Sequence, residues 1–108
     1  MALLQERCVA CRSDSPKVTR EEIEELHRLI PNWRLKSEYG VRRLERRFRF
    51  RGPEGFVKAV EFAGNIRDIS EKEGHHPRVT LDFGWAKVEW WTHKIFGLHR
   101  NDFIMAAK

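Results

Sequence analysis

Apolar residues at Ile23, Leu26, Leu29 and Ile30 recur at helical spacing, and Pro31 closes the segment. Thr19 with Glu22 three residues on is a capping-box signature at its start, and Val18 sits where a hydrophobic staple would begin. The period then drops to two. Trp33–Ser37 and Val41–Arg51 read as strands joined by a turn at Tyr39-Gly40. In the second strand Leu44, Phe48 and Phe50 point one way, and Arg43, Glu45, Arg47, Arg49 and Arg51 point the other, to a solvated face. Arg46 falls on the apolar side.

Gly52-Pro53-Glu54 opens a longer helix with Phe56, Ala59, Val60, Ala63, Ile66 and Ile69 as its buried stripe and Gly74 as its stop. Arg78–Phe83 and Lys87–His93 form a second strand pair turning near Gly84, and a last short helix runs from about Arg100. The order α-β-β-α-β-β-α predicts an α+β fold: a single two-layer domain, a four-stranded antiparallel sheet with three helices on one face. Residues 1–15 lack periodicity and read as a flexible N-terminal leader ahead of a domain over 16–108.

Composition narrows the class. The chain has 108 residues, enough for one core and too few for two domains. No apolar run reaches the ~20 residues that cross a bilayer, and the opening residues carry no signal-peptide core. Two cysteines build no disulfide framework, which points to a reducing, cytoplasmic setting. The net charge is +5, with six arginines between Arg42 and Arg51. The strand alternation accounts for most of them, so a nucleic-acid surface is the less economical reading.

The chemistry concentrates after the long helix, in Glu71-Lys-Glu-Gly-His75-His76-Pro77. Two carboxylates occupy a last helical turn, where the macrodipole favours cations. Two adjacent histidines follow, and the proline extends His76, so the imidazoles point to opposite sides. They either flank a flat ligand, or one faces it while the other packs. His93 closes a strand in Trp90-Trp91-Thr92-His93, and Asp102 lies in the first turn of the last helix. Imidazoles suit proton transfer near neutral pH, and a nearby carboxylate can fix their tautomer.

An acid, three residues, His-His-Pro, an aromatic six on, His ten later and Asp nine later: these positions are Glu71, His75, His76, Pro77, Phe83, His93 and Asp102. With Trp33, Arg47–Phe50 and Gly97-Leu98, the pattern resembles the pterin-4a-carbinolamine dehydratase family over about residues 16–108. The resemblance implies a hydro-lyase that removes water from 4a-hydroxytetrahydropterin to give quinonoid dihydropterin. This step recycles the pterin cofactor of aromatic amino acid hydroxylases, with no metal or organic cofactor. It also implies His75 and His76 as acids toward the departing hydroxyl and His93 as base or ring-orienting partner. Glu71 would hold an imidazole, and Asp102 would orient His93 or the ligand. Trp33 and Phe83 would form walls, and Thr92 would help orient the substrate.

Two rival classes stand beside this one. His75, His76, His93 and His99 with two acids suggest a metal site, but adjacent histidines in extended chain diverge. Cys8-x-x-Cys11 is half of a zinc ribbon without its second pair. A protein-binding module, such as a dimerisation cofactor or transcriptional co-regulator, is the other alternative, since the family includes such a member; a basic nucleic-acid-binding domain belongs to the same class. A homodimer or homotetramer is expected, because a strand ending Trp90-Trp91 makes a poor bare edge. His99 stands where a cap such as Ser is the usual choice.

Overall fold

The computed structural model describes residues 3–8, 17–95 and 97–108. Four strands, β1 (Arg34–Glu38), β2 (Val41–Arg49), β3 (Arg78–Asp82) and β4 (Trp85–Trp90), form one antiparallel sheet in the order β1-β2-β4-β3. Three helices accompany it: α1 (Arg20–Arg28), α2 (Gly55–Glu73) and α3 (Arg100–Ala107). The predicted α-β-β-α-β-β-α order and four-stranded sheet are both present. No described helix is long and apolar enough to cross a membrane. Of the leader expected over residues 1–15, only 3–8 are described; they form a 3-10 turn at Leu3–Gln5 and place Leu3 in the core.

Local signals explain the element boundaries. The Glu22 amide donates to Thr19 Oγ1 at 3.2 Å and the Thr19 amide to Glu22 Oε1 at 2.9 Å, the reciprocal pair of a capping box. Gly74 ends α2 at φ 68°, a left-handed conformation that glycine adopts without a Cβ penalty. The β1–β2 loop has two residues, Tyr39 and Gly40, both at positive φ, as the twist of a two-residue hairpin demands.

The core lies between the sheet and the helices. Ile23, Leu26 and Ile30 of the first helical segment meet Leu44, Val88 and Trp90 of the sheet and Phe103–Met105 of α3. Leu29 is exposed, because it lies off the stripe that those three residues define. The α2 stripe is also narrower than its sequence reading. Phe56 and Val60 are exposed, while Gly55, Ala59, Ile66 and Ser70 are buried. The cause is the close seat of Gly55: a Cβ there would come within 2.7 Å of the Phe50 carbonyl and 3.0 Å of the Gly84 Cα. Neither backbone atom has room to yield. Gly55→Ala is expected to destabilise the fold by about 1–3 kcal/mol, read as a lower urea midpoint at unchanged slope.

The outer face of the sheet differs from a fully solvated one. Arg43 and Glu45 are buried there, with Glu89 opposite Glu45 in the register. Arg43 Nη1 pairs with Glu89 Oε2 at 3.1 Å, and its guanidinium lies 4.0 Å from the Trp91 ring centroid. Trp91 thus covers part of a face that alternation alone assigns to water. Arg46, the cation on the apolar side, rests its guanidinium over the Phe48 ring at 4.5 Å. β4 is an interior strand between β2 and β3, so the bare edges belong to β1 and β3. The edge argument for association built on Trp90-Trp91 is therefore corrected.

Candidate active site

His75, His76 and Pro77 follow α2 in neither helix nor strand, and the two histidines diverge. His75 turns inward. Its ring stacks on Trp90, with centroids 5.6 Å apart and planes 11° from parallel, and its Nε2 meets Asp102 Oδ1 at 2.6 Å. His76 turns outward, and its Nε2 pairs with Glu71 Oε2 at the surface. One ring packs on Trp90 and the other faces solvent.

Asp102 is wholly buried, and both of its oxygens are occupied. Oδ1 receives His75; Oδ2 accepts the Thr92 hydroxyl at 2.8 Å and the His99 backbone amide at 2.9 Å. Those two donors fix the carboxylate plane and leave a single oxygen for the imidazole. A carboxylate held in this way selects the tautomer with hydrogen on Nε2, so neutral His75 keeps an accepting lone pair on Nδ1.

Asp102 was expected to serve His93 or the ligand; it holds His75 instead. The difference arises where β4 ends. The strand stops at Trp90, Thr92 pairs back with Gly97 in an isolated bridge, and His93 begins a 3-10 turn over His93–Ile95. His93 therefore does not close a strand. The return leg brings Asp102 under His75, while the His93 ring lies 4.5 Å from the Trp91 centroid on the solvent side.

His75, His76, Thr92 and His93 together line a cleft of about 200 Å³ with Gly74 and Lys94. Glu71 and Asp102 stand behind its two adjacent imidazoles. Wider depressions, of about 290 Å³ between Lys17 and Arg42 and about 380 Å³ beside Trp33, carry no histidine. Trp33 and Phe83 lie apart from the cleft: Trp33 is in the core, edge-on to Phe48, and Phe83 is 65% exposed in the β3–β4 turn. Lys94 was not singled out from the sequence, and the Trp-Trp-Thr-His run did not show which ring would stack on His75.

Among the described residues no three His, Cys, Asp or Glu side chains converge to hold a metal ion. Cys11 lies outside the described residues, so the Cys8-x-x-Cys11 spacing has no geometry to report.

His99 caps α3 through Nδ1, which accepts the Asn101 amide at 3.0 Å. Burial pushes its pKa below the ordinary 6.5, with the His75 charge acting in the same direction and Asp102 opposing. The unfolded chain thus binds this proton more readily than the folded one. Its contribution to stability is complete above pH 6.5 and falls as pH drops through that value toward the lowered folded pKa. His99→Ser, which keeps a capping acceptor, is expected to flatten the loss of stability between pH 7.5 and 5.5 in denaturant titrations.

The chain is similar to known proteins over nearly its whole length. The family model for pterin 4 alpha carbinolamine dehydratase matches residues 16–108. A protein of Gloeobacter violaceus, provisionally named pterin-4-alpha-carbinolamine dehydratase 1, is 51% identical over 108 residues, covering 100% of this chain and 90% of its own length. A similarly named protein of Saccharophagus degradans is 45% identical over 106 residues, covering 98% and 91%. A crystal structure from Brucella melitensis, described as a transcriptional coactivator/pterin dehydratase, superposes with a TM-score of 0.71 at 26% identity, covering 84% of this chain and 92% of that one. The chain belongs to the pterin 4 alpha carbinolamine dehydratase family.

Proposed function

We propose that this chain dehydrates a 4a-hydroxytetrahydropterin to quinonoid dihydropterin, with histidines as general acid and base. The observation that carries the reading is the His75–Asp102 hydrogen bond at 2.6 Å, set in one cleft with His76 and His93. The C4a hydroxyl is a poor leaving group until it is protonated. As the C–O bond breaks, a ring nitrogen gives up its proton and its lone pair forms the new C=N bond, so water and the quinonoid product leave with charge balanced.

His75 and His76 each turn Nε2 to a carboxylate, which leaves Nδ1 for the substrate. At that nitrogen a protonated ring donates to the departing hydroxyl. His93, across the cleft, takes the proton from the pterin ring. Each such transfer typically supplies ~10²–10⁴-fold in rate. Thr92 acts through Asp102, whose free rotation it prevents.

The physiological role we propose is recycling of the pterin used by aromatic amino acid hydroxylases, in a cytoplasmic homo-oligomer. The test is direct: the purified chain should accelerate dehydration of freshly generated carbinolamine in the presence of a chelator. His93→Ala should lower kcat/KM by about 10²-fold or more. A wild-type rate equal to the buffer rate would overturn the reading.

A further inference from the structure

Two charges stand at unfavourable ends of the helices that carry the His75–Asp102 pair. Glu73 lies in the last turn of α2, two residues before His75, and Arg100 opens α3, two residues before Asp102. The macrodipole opposes both placements. Consecutive residues of the N-terminal segment answer each of them. Glu6 takes Arg100 in a two-pronged pair, Nε to Oε1 at 2.8 Å and Nη2 to Oε2 at 2.7 Å. Arg7 Nε meets Glu73 Oε2 at 2.9 Å, and the Cys8 backbone amide donates to Glu73 Oε1, also at 2.9 Å. Cys8 Sγ reaches the carbonyl of Asn101, the neighbour of Asp102, at 3.9 Å. The Glu73 side chain is 3% exposed, and Leu3 is anchored in the core cluster beside α3.

We infer that Leu3–Cys8 is a positioning strap, which ties the end of α2 to the start of α3 and thereby sets the His75–Asp102 hydrogen bond. The inference rests on the dehydratase reading for its catalytic consequence. The strap touches neither substrate nor cleft; it acts through the two backbones that present the pair. Surface ion pairs usually contribute little to stability. Here their geometry converges on one hydrogen bond, from the segment just beyond α2 to the first turn of α3, and small displacements at such a bond are costly to rate.

A charge exchange tests the strap in the full-length chain. Glu6→Arg and Arg100→Glu are made singly and then together, which restores the pair with its polarity reversed. Each single variant is expected to lower kcat about tenfold with KM little changed, short of the 10²-fold that a full ångström of misplacement can cost. The ¹⁵N resonances of His75 should move toward a mixture of tautomers in the single variants, and the double variant should recover both rate and tautomer. Single variants with wild-type kcat and His75 tautomer, together with a Cys8 amide that exchanges freely, would overturn the strap. If the wild-type chain shows no dehydration, the proposed function falls. The His75 tautomer and Cys8 amide exchange then still decide the strap. If either reversal lowers the melting temperature sharply, Glu6→Gln carries the same readouts.

Discussion

His75→Ala is expected to lower kcat/KM for carbinolamine dehydration by about 10²–10⁴-fold, the largest catalytic loss of any single substitution in this chain. His75 is the only cleft imidazole backed by a fully buried carboxylate among the described residues, and it is braced from below by the Trp90 ring. Asp102→Asn should fall in the same range while preserving shape. The new amide would present hydrogen to Nε2 if its nitrogen takes the place of Oδ1. With Oδ2 needed to accept from Thr92 and the His99 amide, that orientation is the one the site imposes, and it forces His75 into the opposite tautomer. The two substitutions combined should cost little more than either alone, because the residues act as a unit. Stopped-flow absorbance on freshly formed carbinolamine measures all three variants. An Asp102→Asn enzyme with wild-type kcat/KM would remove the carboxylate from the mechanism.

The largest structural loss is expected at Trp90. Its side chain is 1% exposed, and it joins the sheet to α3 while carrying the His75 ring on one face. Trp90→Ala should destabilise the domain by about 3–5 kcal/mol, since the surrounding core closes only part of the void left by an indole. For a domain of this size each kcal/mol shifts the melting temperature by about 4–8 °C. Trp90→Phe keeps an aromatic plane under His75 and should cost far less in both stability and rate. Calorimetry of the two variants separates the volume effect from the stacking effect. Equal melting temperatures for wild type and Trp90→Ala would contradict the packing described here.

Much of this arrangement was legible along the chain, where local chemistry decides the outcome. The Thr19–Glu22 box and the Gly74 stop each depend on residues within a few positions of one another, and each formed as read. Tertiary geometry settled what was not legible. Which histidine Asp102 serves depends on how the chain returns after β4, and that path is set by the Thr92–Gly97 bridge, which no periodicity announces. The burial of Arg43 and Glu45 depends on Trp91 folding over the sheet, and the exposure of Phe56 and Val60 on how closely Gly55 approaches Gly84. The two carboxylates that break the helix-end rule, Glu71 and Glu73, both have partners in the fold. One pairs with His76, and the other receives Arg7 and Cys8 from a segment far away in sequence.

The facing carboxylates of Glu45 and Glu89 have a consequence for how this basic molecule meets polyanions. Around them gather Lys36, Arg43, Arg78 and Lys87, at 3.1, 3.1, 3.7 and 3.9 Å respectively, with Arg34 at 4.0 Å. These cations already have partners fixed within the fold. A nucleic-acid backbone laid on this side of the sheet would have to compete with these two carboxylates for the cations. Two carboxylates offset two of the five positive charges, so the salt-driven entropy that normally powers such binding is smaller on that side than its count of basic residues implies.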